Sequence, residues 1–131
     1  MRTRVLMIAS ASFLAALGVA ASFAPREILA ATGSQAAWAE VLVVQVAGAL
    51  CLGLAMLNWM ARANLIGGVY SRPVALGNFL HWAVVAIALL KALSAGHRPP
   101  VVVAGAVIYL AFAASFGVVL LTSPVGANRH E

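Results

Sequence analysis

The stretch Val101-Val-Val-Ala-Gly-Ala-Val-Ile-Tyr-Leu-Ala-Phe-Ala-Ala-Ser-Phe-Gly-Val-Val-Leu-Leu121 carries no charged side chain over 21 residues. A helix rising about 1.5 Å per residue needs about 20 such residues to cross the roughly 30 Å hydrocarbon layer of a bilayer. Three further runs meet the same test. Val5 to Ala24 is uncharged and ends at Pro25, and Val41 to Met60 has only Gln45 and Asn58 as strongly polar members. Val74 to Leu93 contains Asn78, His81 and Lys91 but is otherwise uninterrupted. The runs predict an all-α fold, a transmembrane four-helix bundle that forms one integral membrane domain over residues 1–131, with spans near 5–24, 38–60, 74–95 and 100–121.

Composition agrees with that reading along the whole chain. Of the 131 residues, 64% are hydrophobic and 8% charged, against about 45 to 50% and about 25% in soluble domains. The apolar excess is not gathered in one tail, which excludes a soluble domain on a single anchor. The net charge of +5 does not point to nucleic acid, because Lys and Arg sit between apolar runs and not along a solvated face. They read as orientation signals, since basic residues collect in short cytoplasmic loops. With four spans, Arg2, Arg4, Arg62, Arg72 and Arg129 share one side, and Arg26, Lys91 and Arg98 the other. That count predicts both termini in the cytoplasm.

Proline and glycine punctuate the spans. Pro73 and Pro100 suit helix starts, where a missing N–H costs nothing, and Pro124 closes the last run. Pro25-Arg-Glu-Ile-Leu-Ala-Ala-Thr-Gly33 has a proline start, an acidic first turn and a glycine stop, the signals of a short helix, here expected along the membrane surface between spans one and two. Arg2 and Arg4 before an apolar run, with Gly18-Val19-Ala20 behind, also fit a cleaved signal peptide. The run of some 20 residues exceeds the roughly 7 to 15 of a cleaved apolar core, so it is read as a retained span. Trp38 and Trp59 mark the ends of span two, as interfacial tryptophans do.

Membrane helices associate through small residues and hydrogen bonds. Candidate ridges are Ala11 with Ala15, Ser12 with Ala16 and Ala20, Ala49 with Gly53, and Ala113 with Gly117. Polar side chains inside the hydrocarbon are costly and are therefore the first places to look for function. Asn58 should lie at a depth similar to Asn78 and His81, and Asn78, His81 and Trp82 fall near one helical face. Two readings stay open. In one, these residues fix packing. In the other they form a cytoplasm-side ligand pocket, with His81 taking a proton or a head group and Arg62, Arg72 and Tyr70 assisting. Gln45, Lys91 and Glu40 lie toward the opposite side; Lys91 can snorkel to the head groups or pair with Glu40. The loop Asn64-Leu-Ile-Gly-Gly-Val-Tyr-Ser-Arg-Pro73 keeps apolar residues and a glycine pair, which fits a fold-back turn but lacks phosphate-loop spacing.

No catalytic, metal or cofactor set stands out. Cys51, the single cysteine, is central in span two and should pack as a small hydrophobe. A second intramembrane histidine for haem is missing, His97 and His130 lying outside the spans, and the chain has no aspartate for a Ser/His/Asp site. The segments Phe23-Ala-Pro-Arg-Glu-Ile-Leu29, Gln45-Val-Ala-Gly-Ala-Leu50, Leu57-Asn-Trp-Met-Ala-Arg62 and Gly67-Gly-Val-Tyr-Ser-Arg-Pro-Val-Ala-Leu-Gly-Asn78 resemble small bacterial four-span proteins, similar in layout to the DoxX-like group. That resemblance covers about residues 1–121 and implies a bacterial inner-membrane location and a four-helix bundle, with no functional residue to carry over. The expected function is a non-enzymatic accessory or interaction subunit, its partners the lipid bilayer and either a membrane protein or further copies of itself. The alternative is a carrier or binder of a small lipophilic molecule such as a quinone or lipid. Small multidrug transporters share the layout but rely on a glutamate in the first span, where this chain has no carboxylate.

Overall fold

A computed structural model describes residues 2–63 and 71–122. Among them are the helices α1 (Arg2–Phe23), α2 (Pro25–Ala31), α3 (Trp38–Ala61), α4 (Ser71–Ser94) and α5 (Pro100–Thr122). All but α2 are long and apolar enough to cross a membrane, so the chain is a multi-pass membrane protein built as a helical bundle. Two starts lie earlier than the hydropathy indicates. α1 begins at Arg2 and α4 at Ser71, because a helix need not stop where the hydrocarbon does. Pro73 is thus the third residue of α4, still among the first N–H positions that have no intrahelical partner.

The short helix α2 forms where its end signals placed it. Pro25 occupies its first turn with Glu27, and its far end closes through Gly33 at φ +84. There the Gly33 N–H donates to the Ala30 carbonyl at 3.0 Å and the Ser34 N–H to Leu29 at 3.0 Å, the paired bonds of a Schellman stop. Gly96, at φ +92, ends α4 the same way, with His97 N–H on the Ala92 carbonyl at 3.1 Å. Glu40 fastens the entry to α3, its Oε2 accepting from the Ser34 hydroxyl at 2.7 Å and the Ala37 N–H at 3.2 Å. Gln45 reaches across to the Ser22 carbonyl at 3.4 Å, a helix-end group that the break at Pro25 helps to expose.

Consecutive spans run antiparallel, and the bundle is built from two close pairs, α1 with α3 and α4 with α5, that meet along their inner edges. The buried positions step by three and four: Met7, Ala11, Leu14, Gly18 and Ala21 on α1; Gly48, Cys51, Ala55 and Asn58 on α3; Ala75, Asn78, Trp82 and Ala86 on α4; Ala106, Tyr109, Ala113 and Phe116 on α5. This is the spacing of left-handed, small-angle packing. Most buried positions are small or polar, with Leu14, Trp82, Tyr109 and Phe116 filling the centre, while many large apolar side chains point outward, among them Leu50, Met60 and Leu121 at 71%, 70% and 88% exposure. Such a distribution is stable only where the surroundings are themselves apolar.

The small residues sort differently from the ridges the sequence offers. Ala11 and Ala113 are buried, but Ser12, Ala16, Ala49 and Gly53 face outward. The close approach of α1 and α3 is made by Gly18 and Gly48 instead. A Cβ on Gly48 would lie 2.8 Å from Ser22 Oγ and 2.9 Å from Ala21 Cβ, and one on Gly18 would lie 2.9 Å from the Gly48 carbonyl oxygen. Four-residue spacing identifies candidate stripes, but only the neighbour decides which stripe it covers.

Candidate functional site

Three polar side chains meet inside the bundle. The Asn58 and Asn78 amides face each other head to head: the Asn78 Nδ2 donates to Asn58 Oδ1 at 2.6 Å and the Asn58 Nδ2 to Asn78 Oδ1 at 2.7 Å. The second N–H of Asn58 reaches Ser10 Oγ at 2.7 Å, and that of Asn78 the Val74 carbonyl at 2.9 Å. The Ser10 hydroxyl donates onward to Asn78 Oδ1 at 3.5 Å. All three residues are 0% exposed. An amide has two N–H donors and one carbonyl, and every one of these groups is taken. The network ties α1, α3 and α4 together and leaves no donor for a ligand.

The shared depth expected for Asn58 and Asn78 is what brings them together. Ser10 was missed, and its only signal is faint: a hydroxyl in a helix can satisfy itself on its own backbone, so a serine in an apolar span does not announce a partner. His81 does not join this network. One turn deeper along α4, it belongs to an aromatic cluster with Trp82 and Tyr109, with ring centroids 5.2 Å and 5.7 Å away. Trp82 stacks on Phe112 at 4.3 Å and lies 4.8 Å from Tyr109, while Phe13 of α1 closes the cluster at 5.8 Å from Trp82. These tilted and offset rings fill the middle of the bundle in the geometries aromatic pairs favour. Cys51 packs in the same core, as a small hydrophobe would. Two polar atoms there stand out. His81 Nε2 and Trp82 Nε1 are buried without a hydrogen-bond partner.

The other candidates are spread out. Arg62 caps the end of α3, its guanidinium donating to the Trp59 carbonyl and lying 4.0 Å from the Trp59 ring centroid. Arg72 is exposed in the first turn of α4, about 13 Å of helix rise from His81. Tyr70 and the glycine pair of the loop lie outside the described residues. Asn58 and Asn78 are thus joined, His81 and Trp82 are neighbours, and neither arginine is placed beside them by these contacts.

Two of the grooves on the outer surface are formed by described residues. One, of about 450 Å³, lies between α2 and α3 and is lined by Leu29, Ser34, Glu40 and Val43 among others. The second, of about 300 Å³, follows the seam of α1 and α3, with Ala11, Ala15 and Ala55 as its floor and Leu52, Met56 and Trp59 along one wall. No protein-family profile matches the chain, and comparison with curated proteins and with solved structures finds no match either. The likeness in layout to the DoxX-like group therefore gains no support, and what stands is a small polytopic membrane protein.

Proposed function

We propose that this bundle is a non-enzymatic membrane subunit that assembles with another membrane protein through the outward face of α3. The observation that carries this reading is the closure of the Ser10, Asn58 and Asn78 network. Polar groups within a membrane span are the usual seat of chemistry, yet the side chains of Ser10, Asn58 and Asn78 are engaged in holding helices together. α3 is also the least buried of the spans, with 17% of its apolar window inside the bundle against 33% for α1. Its outer face carries Ala49, Leu50, Gly53 and Leu57, and a Cβ on Gly53 would meet nothing within 4 Å. Such a face can take a helix at close range, since small residues let backbones approach. The arginine distribution supports cytoplasmic termini, and the bacterial inner membrane is the setting the layout suggests.

Gly53→Leu is the direct test. It should leave the thermal stability of the bundle in detergent unchanged, because the position is open, while abolishing recovery of a stoichiometric partner in mild detergent. Repeated isolation of wild-type protein with no partner, and no second copy, would count against the assembly role.

A second reading, a binder of a small lipophilic molecule, is favoured by the unpartnered His81 Nε2 and Trp82 Nε1 beside Tyr109. A quinone carbonyl would accept from Trp82 Nε1, and from His81 Nε2 in the tautomer that carries its proton there. On this reading a quinone and lipid panel stabilises the wild-type protein against heat and His81→Ala removes the effect. Equal stabilisation of both proteins would remove its support.

A further inference from the structure

The groove along the seam of α1 and α3 differs from the rest of the outer surface in where it leads. Its floor is Ala11, Ala15 and Ala55, and its wall ends at Trp59. Trp59 is 46% exposed and carries the Arg62 guanidinium 4.0 Å from its ring centroid, with the same guanidinium anchored on the Trp59 carbonyl. On α1, Arg4 precedes Ala11 by seven residues and Ala15 by eleven, which places all three on one stripe of the helix. Because α1 and α3 are antiparallel, with Ser10 level with Asn58, Arg4 near the start of α1 and Arg62 at the end of α3 stand at the same membrane boundary. The apolar groove therefore opens toward the boundary at which Arg4 and the Arg62 guanidinium stand, the latter held by its contacts with Trp59.

We infer that this groove is a binding site for an anionic glycerophospholipid, with an acyl chain along Ala11, Ala15 and Met56 and the phosphate held by Arg62 and Arg4. Charge complementarity selects this occupant. A zwitterionic lipid offsets its phosphate with its own ammonium and so gains less from the two guanidinium groups, and an apolar helix gains nothing from them, whereas basic sites beside membrane helices retain anionic head groups. The Trp59 ring, which lines the groove, lies against the Arg62 guanidinium and keeps that planar donor group near the groove's end, where it can take a phosphate. The head-group end of the site is apart from the face assigned above to a protein partner, since Gly53 and Trp59 are about 120° apart around α3, while Met56 borders that face about 60° from Gly53. The arginine substitutions bear on the lipid alone, so either assignment can fail alone.

The test is native mass spectrometry of delipidated protein titrated with dioleoylphosphatidylglycerol or dioleoylphosphatidylcholine. The phosphatidylglycerol adduct should dominate at equal concentration. Arg62→Gln and Arg4→Gln should each weaken it about fivefold, the effect of roughly one basic residue at an anionic surface, and weaken phosphatidylcholine binding less. Ser12→Leu, on the exposed lip of the groove, should reduce binding of both lipids without shifting the melting temperature. Equal retention of the two lipids by the wild-type protein would overturn the assignment. So would a phosphatidylglycerol preference that survives both arginine substitutions, or a Ser12→Leu variant that loses a dimer while keeping its lipid.

Discussion

Asn78→Leu is expected to destabilise the bundle by about 1 to 3 kcal/mol, the cost of stranding buried hydrogen-bonding groups, and to do so far beyond any effect on a protein partner. Removing the Asn78 amide leaves one Asn58 N–H and the Asn58 carbonyl without their 2.7 Å and 2.6 Å bonds, and takes from the Ser10 hydroxyl its acceptor. In a soluble protein water could enter to replace them. Within a membrane span it is excluded, so the lost groups either stay unpaired or draw the helices apart. A single interhelical bond in a membrane averages only about 0.6 kcal/mol when measured by double-mutant cycles, so the size of the effect rests on reciprocity: one substitution empties several partners. Asn58→Leu in the Asn78→Leu background should therefore cost less than the first change did, since little of the network remains to strand. Unfolding in mixed micelles at increasing denaturing detergent gives all three values. If the two single substitutions add without coupling, the amides act independently and the network is not the clasp described.

Much of this clasp was legible in the sequence, for a definite reason. Asn58 and Asn78 are the strongly polar residues nearest the ends of spans two and three that meet across the connecting loop, and antiparallel helices bring residues at equal distance from a shared turn to equal depth. Depth is thus readable when topology is. It is readable only to about a turn: His81 sits three residues beyond Asn78 and looks like part of the same cluster, yet one turn of rise carries it into the aromatic layer with Trp82 and Tyr109. Azimuth is not readable at all. In a soluble bundle the apolar stripe would identify the inward face of each helix. Here every face is apolar, so hydropathy gives span ends and nothing about rotation. What does mark the inside is side-chain size at steps of three and four, as in Gly48, Cys51, Ala55 and Asn58. That signal is diluted by the many outward-facing small residues, Ala49 and Gly53 among them. The helix ends were more readable, because Pro25, Gly33 and Gly96 act through backbone conformation, which does not depend on what surrounds the chain.

Gly48→Leu should be the most disruptive single substitution on α3, and Gly48→Ala already harmful, although both add only apolar atoms to an apolar place. The Cβ that alanine brings would meet Ser22 Oγ at 2.8 Å and both Ala21 Cβ and the Ser22 backbone nitrogen at 2.9 Å. Two of those atoms belong to, or directly extend from, the α1 backbone and cannot rotate away. Relief requires α1 and α3 to separate as bodies. Inserting a methyl group into a packed interior costs about 1 to 3 kcal/mol, and the leucine side chain must push the same helices further still. The separation is not confined to Gly48, because the opposing Gly18 already lies where its own Cβ would be 2.9 Å from the Gly48 carbonyl oxygen. A rigid shift of α1 would also lengthen the 2.7 Å bond between Asn58 and Ser10. Gly48→Ala and Ser10→Ala are therefore expected to cost less together than the sum of their separate costs, even though the two positions are well apart along the bundle and distant sites usually add. Gly53→Leu supplies the control: it adds the same side chain to the same helix in open space and should unfold like the wild-type protein. Matching unfolding curves for Gly48→Leu and Gly53→Leu would mean that α1 and α3 do not approach closely at this crossing.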